Sequence, residues 1–331
     1  MSARRSRRCP APSGRQERGA ECRQPPRHGR IPSARPDHPP DLLSERMNLM
    51  LNARYPDIGF STNVFDNPPD VVDSVARLAP HFHSIELELG ERAETAVMEI
   101  PEGEYTRIVG ALRELIATHG TDLSVHAPYL AHNLASDDAG TREAAVERLM
   151  KACRVARDLG SRRVTCHPGI IGKRTPEKTI EPLLRSLEKC MPTLSDWGIT
   201  LCLENMGADR PTYIVYTPEQ QAEICRKSGA RIAMDVIHLA SVVPQGEEFE
   251  RAVEIVAPFV SNMHVADMNI PDHVHIPIGA GNLPLQEILA RFKQLGYAGP
   301  AIVEEFGGPY TTEVFLDRAI AFRKSLQSGP V

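Results

Sequence analysis

Residues 261–282 read SNMHVADMNIPDHVHIPIGAGN and place three histidines (His264, His273, His275) and two aspartates (Asp267, Asp272) within twelve positions. Imidazole and carboxylate at this density make either a metal site or a solvated connection. The same residue types recur along the chain: His126 in LSVHAP, His167 in RVTCHPG, Glu204 in ITLCLEN, Asp235 and His238 in MDVIH, and Glu304 in VEEF. Carboxylates and imidazoles converging on one point repel and desolvate one another unless a cation is present. A mixed nitrogen and oxygen set without thiolate suits Zn²⁺, Mn²⁺, Co²⁺ or Fe²⁺ more than Ca²⁺. Two kinds of chemistry follow. A metal clamps and polarises a carbonyl and the adjacent hydroxyl while a ligand carboxylate moves a proton, or two or three metals hold a phosphate and supply a hydroxide.

Whether these residues meet depends on the elements that carry them. From Tyr55 onward a short β-rich run is followed by an amphipathic segment, again and again. The runs are IGFST (58–62), SIELELG (84–90), LSVHAP (123–128), RVTCHPG (163–169), ITLCLEN (199–205), RIAMD (231–235), VSNMHVAD (260–267) and PAIVEEF (300–306). Several intervening segments open on Thr or Pro and close on Gly, as helix caps require. Eight such units predict a (β/α)8 TIM barrel, an α/β fold. An open doubly wound sheet is the alternative, but IGFSTNVFD lacks the glycine-rich first turn of that fold.

Strand parity sharpens the reading, because alternate residues face opposite sides. Ile199, Leu201 and Leu203 oppose Thr200, Cys202 and Glu204; Met263 and Val265 oppose Asn262 and His264; Ile85 and Leu87 oppose Ser84, Glu86 and Glu88. The apolar sets are expected to face the helices and the small or polar sets the barrel axis. An ionisable residue then ends each axial set at the C-terminal mouth, where barrel active sites lie. One histidine so placed is ordinarily a hydrogen-bonded core or surface residue; six together with Glu204, Asp235 and Glu304 read as a shared site. His132, in the loop after the third run, is within reach of it. Cys202 is axial but deeper, and reads as core. GAGN (279–282) lacks the Lys-Ser/Thr of a phosphate-binding loop and reads as a turn into the next helix.

The first 46 residues differ from the rest. They hold eleven Arg, eight Pro, no Lys and no aromatic residue. Such a segment cannot bury enough apolar surface to fold, so a disordered leader is expected over 1–46 and the barrel over 47–331. A start at Met47 or Met50 and a genuine flexible arm are both compatible with it. Beyond the leader stand 27 Lys+Arg against 38 Asp+Glu, a net charge of −11. That balance argues against nucleic acid as partner and for a small-molecule substrate. No stretch suits a membrane span. Seven scattered cysteines without a CxxC pair imply neither disulfides nor a zinc knuckle, and a cytoplasmic setting is the simplest expectation.

The ordered set HAPY, CHPG, LEN, MDVIH, MHVAD, HIPIGAGN and VEEF resembles the xylose isomerase-like TIM-barrel superfamily, which holds sugar phosphate isomerases and epimerases and endonuclease IV. The resemblance runs from Tyr55 to the last amphipathic segment. It implies a four-ligand site for a divalent metal (Mn, Zn, Co or Mg) at Glu204, Asp235, His264 and Glu304, with no organic cofactor. In the ketose 3-epimerases of this group the two glutamates act as acid and base, which assigns those roles to Glu204 and Glu304; His238 then contacts substrate oxygens. Glu305 has the opposite parity and is the weaker ligand candidate. The endonuclease IV branch uses a trinuclear set, and the resemblance extends it to His126, His167, His238 and His275 as further metal or substrate ligands. Its Asp-x-His is here His273-Val274-His275, its Asn-Asp-Ser-Lys run is VADM, and its loop is longer. The expected activity is isomerisation or epimerisation of a small sugar or sugar-phosphate-like polyol. A di- or trinuclear phosphoesterase acting on a small phosphoester is the alternative, and a catalytically inactive barrel module the third.

Overall fold

A computed structural model describes residues 54–65, 71–90, 97–130, 132–208, 212–270, 274–304 and 309–328. The leader and its boundary at residue 46, Asp272, His273 and Glu305 lie outside the described residues.

Eight short strands form one closed parallel barrel in chain order: β1 (Ile58–Ser61), β2 (Ser84–Glu88), β3 (Asp122–His126), β4 (Arg163–Cys166), β5 (Thr200–Glu204), β6 (Arg231–Asp235), β7 (Val260–Val265) and β8 (Ala301–Val303). The pairing of Ile58 with Ala301 between β1 and β8 closes the sheet on itself. Closure leaves no open edge, so every strand's backbone finds partners on both sides. The helices are α1 (Val71–Leu78), α2 (Glu102–His119), α3 (Ala139–Leu159), α4 (Pro176–Asp196), α5 (Pro218–Ser228), α6 (Val236–Val242), α7 (Glu247–Val256), α8 (Leu285–Gln294) and α9 (Thr312–Ser328).

The two faces of each strand divide as parity requires. Leu123, Val125, Val164, Leu201, Ile232, Met234, Met263 and Val265 are buried in one apolar core with helix residues such as Leu149, Leu183 and Leu187. The opposite face points to the axis and carries a polar layer: Glu86, Ser124, Thr165 and Asn262 are all fully buried and hydrogen-bond one another across the barrel. The ionisable strand ends stand one step nearer the mouth. Register fixes their heights, pairing Glu88 with His126 and Asp235 with His264.

One helix is additional to the eight repeating units: the run directly after Asp235 forms α6, ahead of α7. Its nucleus is local, because Asp235 Oδ1 accepts the backbone N–H of His238 at 2.7 Å and so caps the helix. Val236, Ile237 and Leu239 anchor it in the core. The cap residue is itself a strand-end carboxylate, so one side chain both starts the helix and sets His238 beside the mouth.

Candidate metal centre

Eight of the expected residues converge at the C-terminal mouth, each at least nine-tenths buried: His126, His167, Glu204, Asp235, His238, His264, His275 and Glu304. Glu204, at the end of β5, stands in the middle. Its Oε2 lies 3.2 Å from His126 Nε2 and 3.0 Å from His167 Nε2, and its Oε1 lies 3.4 Å from His238 Nδ1 and 3.5 Å from His264 Nδ1. Glu304, just past β8, places Oε2 at 2.8 Å from His264 Nδ1. On the far side Asp235 Oδ2 faces ring nitrogens of His238 and His275, each at 3.8 Å.

Four of the rings are oriented through a contact on one nitrogen, which in two of them also lies near a carboxylate: His126 Nδ1 is 3.4 Å from Glu88 Oε2, and His238 Nδ1 is the atom already placed 3.4 Å from Glu204. His126 Nδ1 is 2.9 Å from the Ala127 carbonyl, His275 Nδ1 is 2.9 Å from the Glu304 carbonyl, and His264 Nε2 is 2.6 Å from Glu86 Oε1. His238 Nδ1 is 2.7 Å from the Asn205 carbonyl. A ring N–H donated to such an acceptor leaves the other nitrogen with its lone pair, the state a metal ligand needs. Asn205 is itself pinned, since its amide donates to the Asp235 carbonyl at 2.9 Å and accepts the Asp235 N–H at 2.7 Å. His167 is held differently: Tyr129 stacks on it with centroids 5.0 Å apart and Tyr213 meets it edge-on at 5.7 Å, while its buried Nδ1 has no hydrogen-bond partner.

The electrostatics follow from crowding. Burial opposes ionisation everywhere here, but opposite charges outweigh it. Glu204 is held well below the usual carboxylate range against the pull of burial, by His167, His264 and His126. Glu304 is brought down to about 2 against burial, chiefly by His264. His126 is raised well above its ordinary value against burial by Glu88, Glu204 and Glu86, and His264 by Glu304, Glu86 and Glu204. Protonated rings therefore supply the positive charge these carboxylates require.

A divalent ion supplies the same charge, and the donors fit one. Three groups have ligand atoms all within 4.8 Å of one another: His126, His167 and Glu204; Glu204, Asp235, His264 and Glu304; and Asp235, His238 and His275. The fully buried Asp235 Oδ2 accepts no hydrogen bond, an unusual position for a carboxylate oxygen unless a cation completes it. The donor set is imidazole and carboxylate without thiolate; Cys202 is buried below the mouth as expected.

The opening stretch divides. His264 and His275 belong to the site, His273 and Asp272 lie outside the described residues, and Asp267 does other work. The buried Asp267 carboxylate accepts four backbone N–H groups, from Met268, Gly279, Gly281 and Leu283, at 2.9–3.1 Å. The N–H groups of Gly279 and Gly281 are thus already occupied, and GAGN is a structural turn. Gly281 has no substitute there, because a Cβ would sit 2.3 Å from the Met268 carbonyl oxygen. Sequence reading missed Glu86, Asn205 and Tyr213 as supports of the site. Glu86 had the right parity, but only the closed barrel, which brings β4 and β7 across the axis from β2, reveals what it touches.

Comparison with known proteins identifies the family of this barrel. The family model described as "Xylose isomerase-like TIM barrel" matches residues 72–326. The uncharacterised protein MJ1311 of Methanocaldococcus jannaschii is 30% identical over 272 residues, covering 79% of this chain and 87% of that protein. The crystal structure of a D-tagatose 3-epimerase-like protein superposes with TM-score 0.64 at 25% identity, covering 82% of this chain and 96% of the other. That of D-psicose 3-epimerase, solved in the presence of D-fructose, gives TM-score 0.67 at 17% identity over 82% and 100%.

Proposed function

Taking as premise that the chain belongs to the xylose isomerase-like TIM-barrel family, we propose that it is a divalent-metal-dependent isomerase or epimerase of a small sugar or sugar-phosphate-like polyol. One observation carries this reading: two buried glutamates from different strands, Glu204 and Glu304, reach the same ring nitrogen, His264 Nδ1, at 3.5 and 2.8 Å. Glu204, Asp235, His264 and Glu304 would hold the ion. The ion, when bound, polarises a carbonyl and its neighbouring hydroxyl, which acidifies the carbon-bound hydrogen beside them. One glutamate then takes that proton, and the other returns one to the opposite face of the same carbon, so the product has the substrate's composition. His238 holds a substrate oxygen, fixed for that task by its contact with Asn205. The 25% identity to a D-tagatose 3-epimerase-like protein supports the substrate class, as does the net charge of −11 beyond the leader, which disfavours a polyanionic partner.

A second reading rests on a separate observation. Glu204 and Asp235 each belong to two of the three ligand groups, so His126 with His167 and His238 with His275 extend the four-ligand site on both sides. Bridging carboxylates of this kind suit a di- or trinuclear phosphoesterase acting on a small phosphoester. Incubation with candidate ketoses and ketose phosphates in D₂O separates the two. Epimerisation puts deuterium on the substrate carbon and releases no phosphate. Phosphate release with no carbon deuteration would reject the isomerase reading in favour of the hydrolase.

A further inference from the structure

The polar layer beneath the mouth has a purpose the site alone does not state. The inner layers of such barrels are ordinarily filled by branched apolar side chains. Here β2 instead buries a carboxylate, Glu86, with no exposed surface at all. Its Oε2 takes three neutral donors from three other strands: Ser124 Oγ at 2.8 Å, Asn262 Nδ2 at 2.6 Å and Thr165 Oγ1 at 3.3 Å. Its Oε1 is left for one partner, His264 Nε2, at 2.6 Å. A structural layer would be cheaper without the charge, because an apolar residue of similar size avoids the desolvation of a buried carboxylate. What the carboxylate does that an apolar residue cannot is accept the N–H of His264.

We propose that Glu86 is a positioning residue for the metal centre: it holds His264 with Nε2 protonated, so that Nδ1 alone is presented to the ion. The three donors on Oε2 lock the carboxylate, the carboxylate locks the ring, and the ring places Nδ1 between Glu304 and Glu204. A carboxylate behind a ligating imidazole also raises its basicity, and losing such an outer partner typically costs metal affinity. This inference rests on the metal-centre reading above, and the experiment keeps the two apart.

The full chain is ¹⁵N-labelled at histidine and observed by NMR with and without Zn²⁺, alongside Zn²⁺ titration of wild type, Glu86→Gln and Ser124→Ala. In the zinc-loaded wild type the His264 signal should show a protonated Nε2 and a metal-shifted Nδ1. Glu86→Gln should bind Zn²⁺ about 10–100-fold more weakly. Ser124→Ala, which removes one donor to Glu86 but not the contact with His264, should bind near the wild-type value. Coordination through Nε2, or unchanged affinity in a folded Glu86→Gln protein, overturns the inference. If Glu86→Gln fails to fold, the wild-type nitrogen signature decides by itself. Absence of zinc binding by the wild type would instead sink the metal-centre reading.

Discussion

The two flanks of the centre are built by different means. On the β6 and β7 flank, His238 and His275 each contact a backbone carbonyl, and the loop bearing His275 is gathered by the four N–H groups on Asp267. On the β3 and β4 flank, His126 contacts the Ala127 carbonyl, but His167 is held between two tyrosine rings with no hydrogen bond on Nδ1. Backbone carbonyls fix both the position and the tautomer of a ring, whereas ring stacking fixes only its plane. The first flank is therefore the rigid one, and the second is the one whose occupancy responds to its surroundings.

Breaking what the flanks share should have the largest effect. Glu204 belongs to both the β3/β4 group and the central group. Glu204→Gln should lower divalent-metal affinity by more than about 100-fold, beyond the loss expected for an outer partner, and abolish turnover. Metal titration by calorimetry checks it. Retained affinity would mean the central carboxylate is not a ligand. Asp267→Ala comes next and should act on the rigid flank alone. Four backbone N–H groups lose a charged acceptor, so a loss of about 3 kcal/mol is expected in denaturant unfolding, with the loop around His275 gaining fast hydrogen exchange. Equal protection in mutant and wild type would show that the loop holds without Asp267.

Smaller effects probe the responsive flank. Tyr213→Leu removes the edge-on ring from His167 and should cost about 0.5–1.5 kcal/mol, read as a several-fold weaker ion at that flank with the Asp235 flank unchanged. A matching change at both flanks would erase the distinction. His132 offers a pH test beside it. Burial, then the positive fields of His167 and Arg148, push this ring down to about 3. A group so lowered contributes its stability above the ordinary histidine value near 6.5 and loses it as pH falls toward the folded value. His132→Leu should thus resist acid better than wild type between about pH 6 and 3; an identical acid midpoint would contradict this.

The metal-free centre should behave in the opposite sense. His126 and His264 are raised, so their contribution is full below about pH 6.5 and fades as pH rises through their folded values. Glu204 and Glu304 are lowered, so theirs is present above about pH 4.5 and fades as pH falls. The chelated protein should gain most from this cluster between those limits. As pH rises through the raised values of His126 and His264 the ion competes with fewer ring protons, so the stabilisation by added metal should grow with pH. Thermal melts with and without chelator across this range check the sign.

Much of this was readable in the sequence, for physical reasons. Apolar alternation in ITLCLEN and RIAMD reports burial on one face, and a strand's period of two then assigns the other face without coordinates. That is why Glu204, Asp235 and Glu304 could be grouped with the histidines at one mouth, and why the closed eight-strand barrel was expected; the four-ligand set of Glu204, Asp235, His264 and Glu304 is what the family resemblance implies. What the sequence could not show depends on contacts between distant strands or on a side chain's choice of partner. Glu86 shares the parity of Glu88, yet its meeting with Asn262 and His264 needs the barrel's closure. Asp267 reads as one more acidic candidate until its oxygens are found on backbone N–H groups. The α6 turn escaped because Val236–Val242 is only 7 residues long, too short for a helical period to show.

The central claim is that the mouth is a divalent-metal centre. Elemental analysis of the full chain, purified without chelator, tests it most directly when run beside Glu204→Gln. The account predicts about one or more tightly held divalent ions per chain in the wild type and their loss in the variant. A folded wild-type protein that holds no divalent ion, even after incubation with Mn²⁺, Zn²⁺ and Co²⁺, would contradict it.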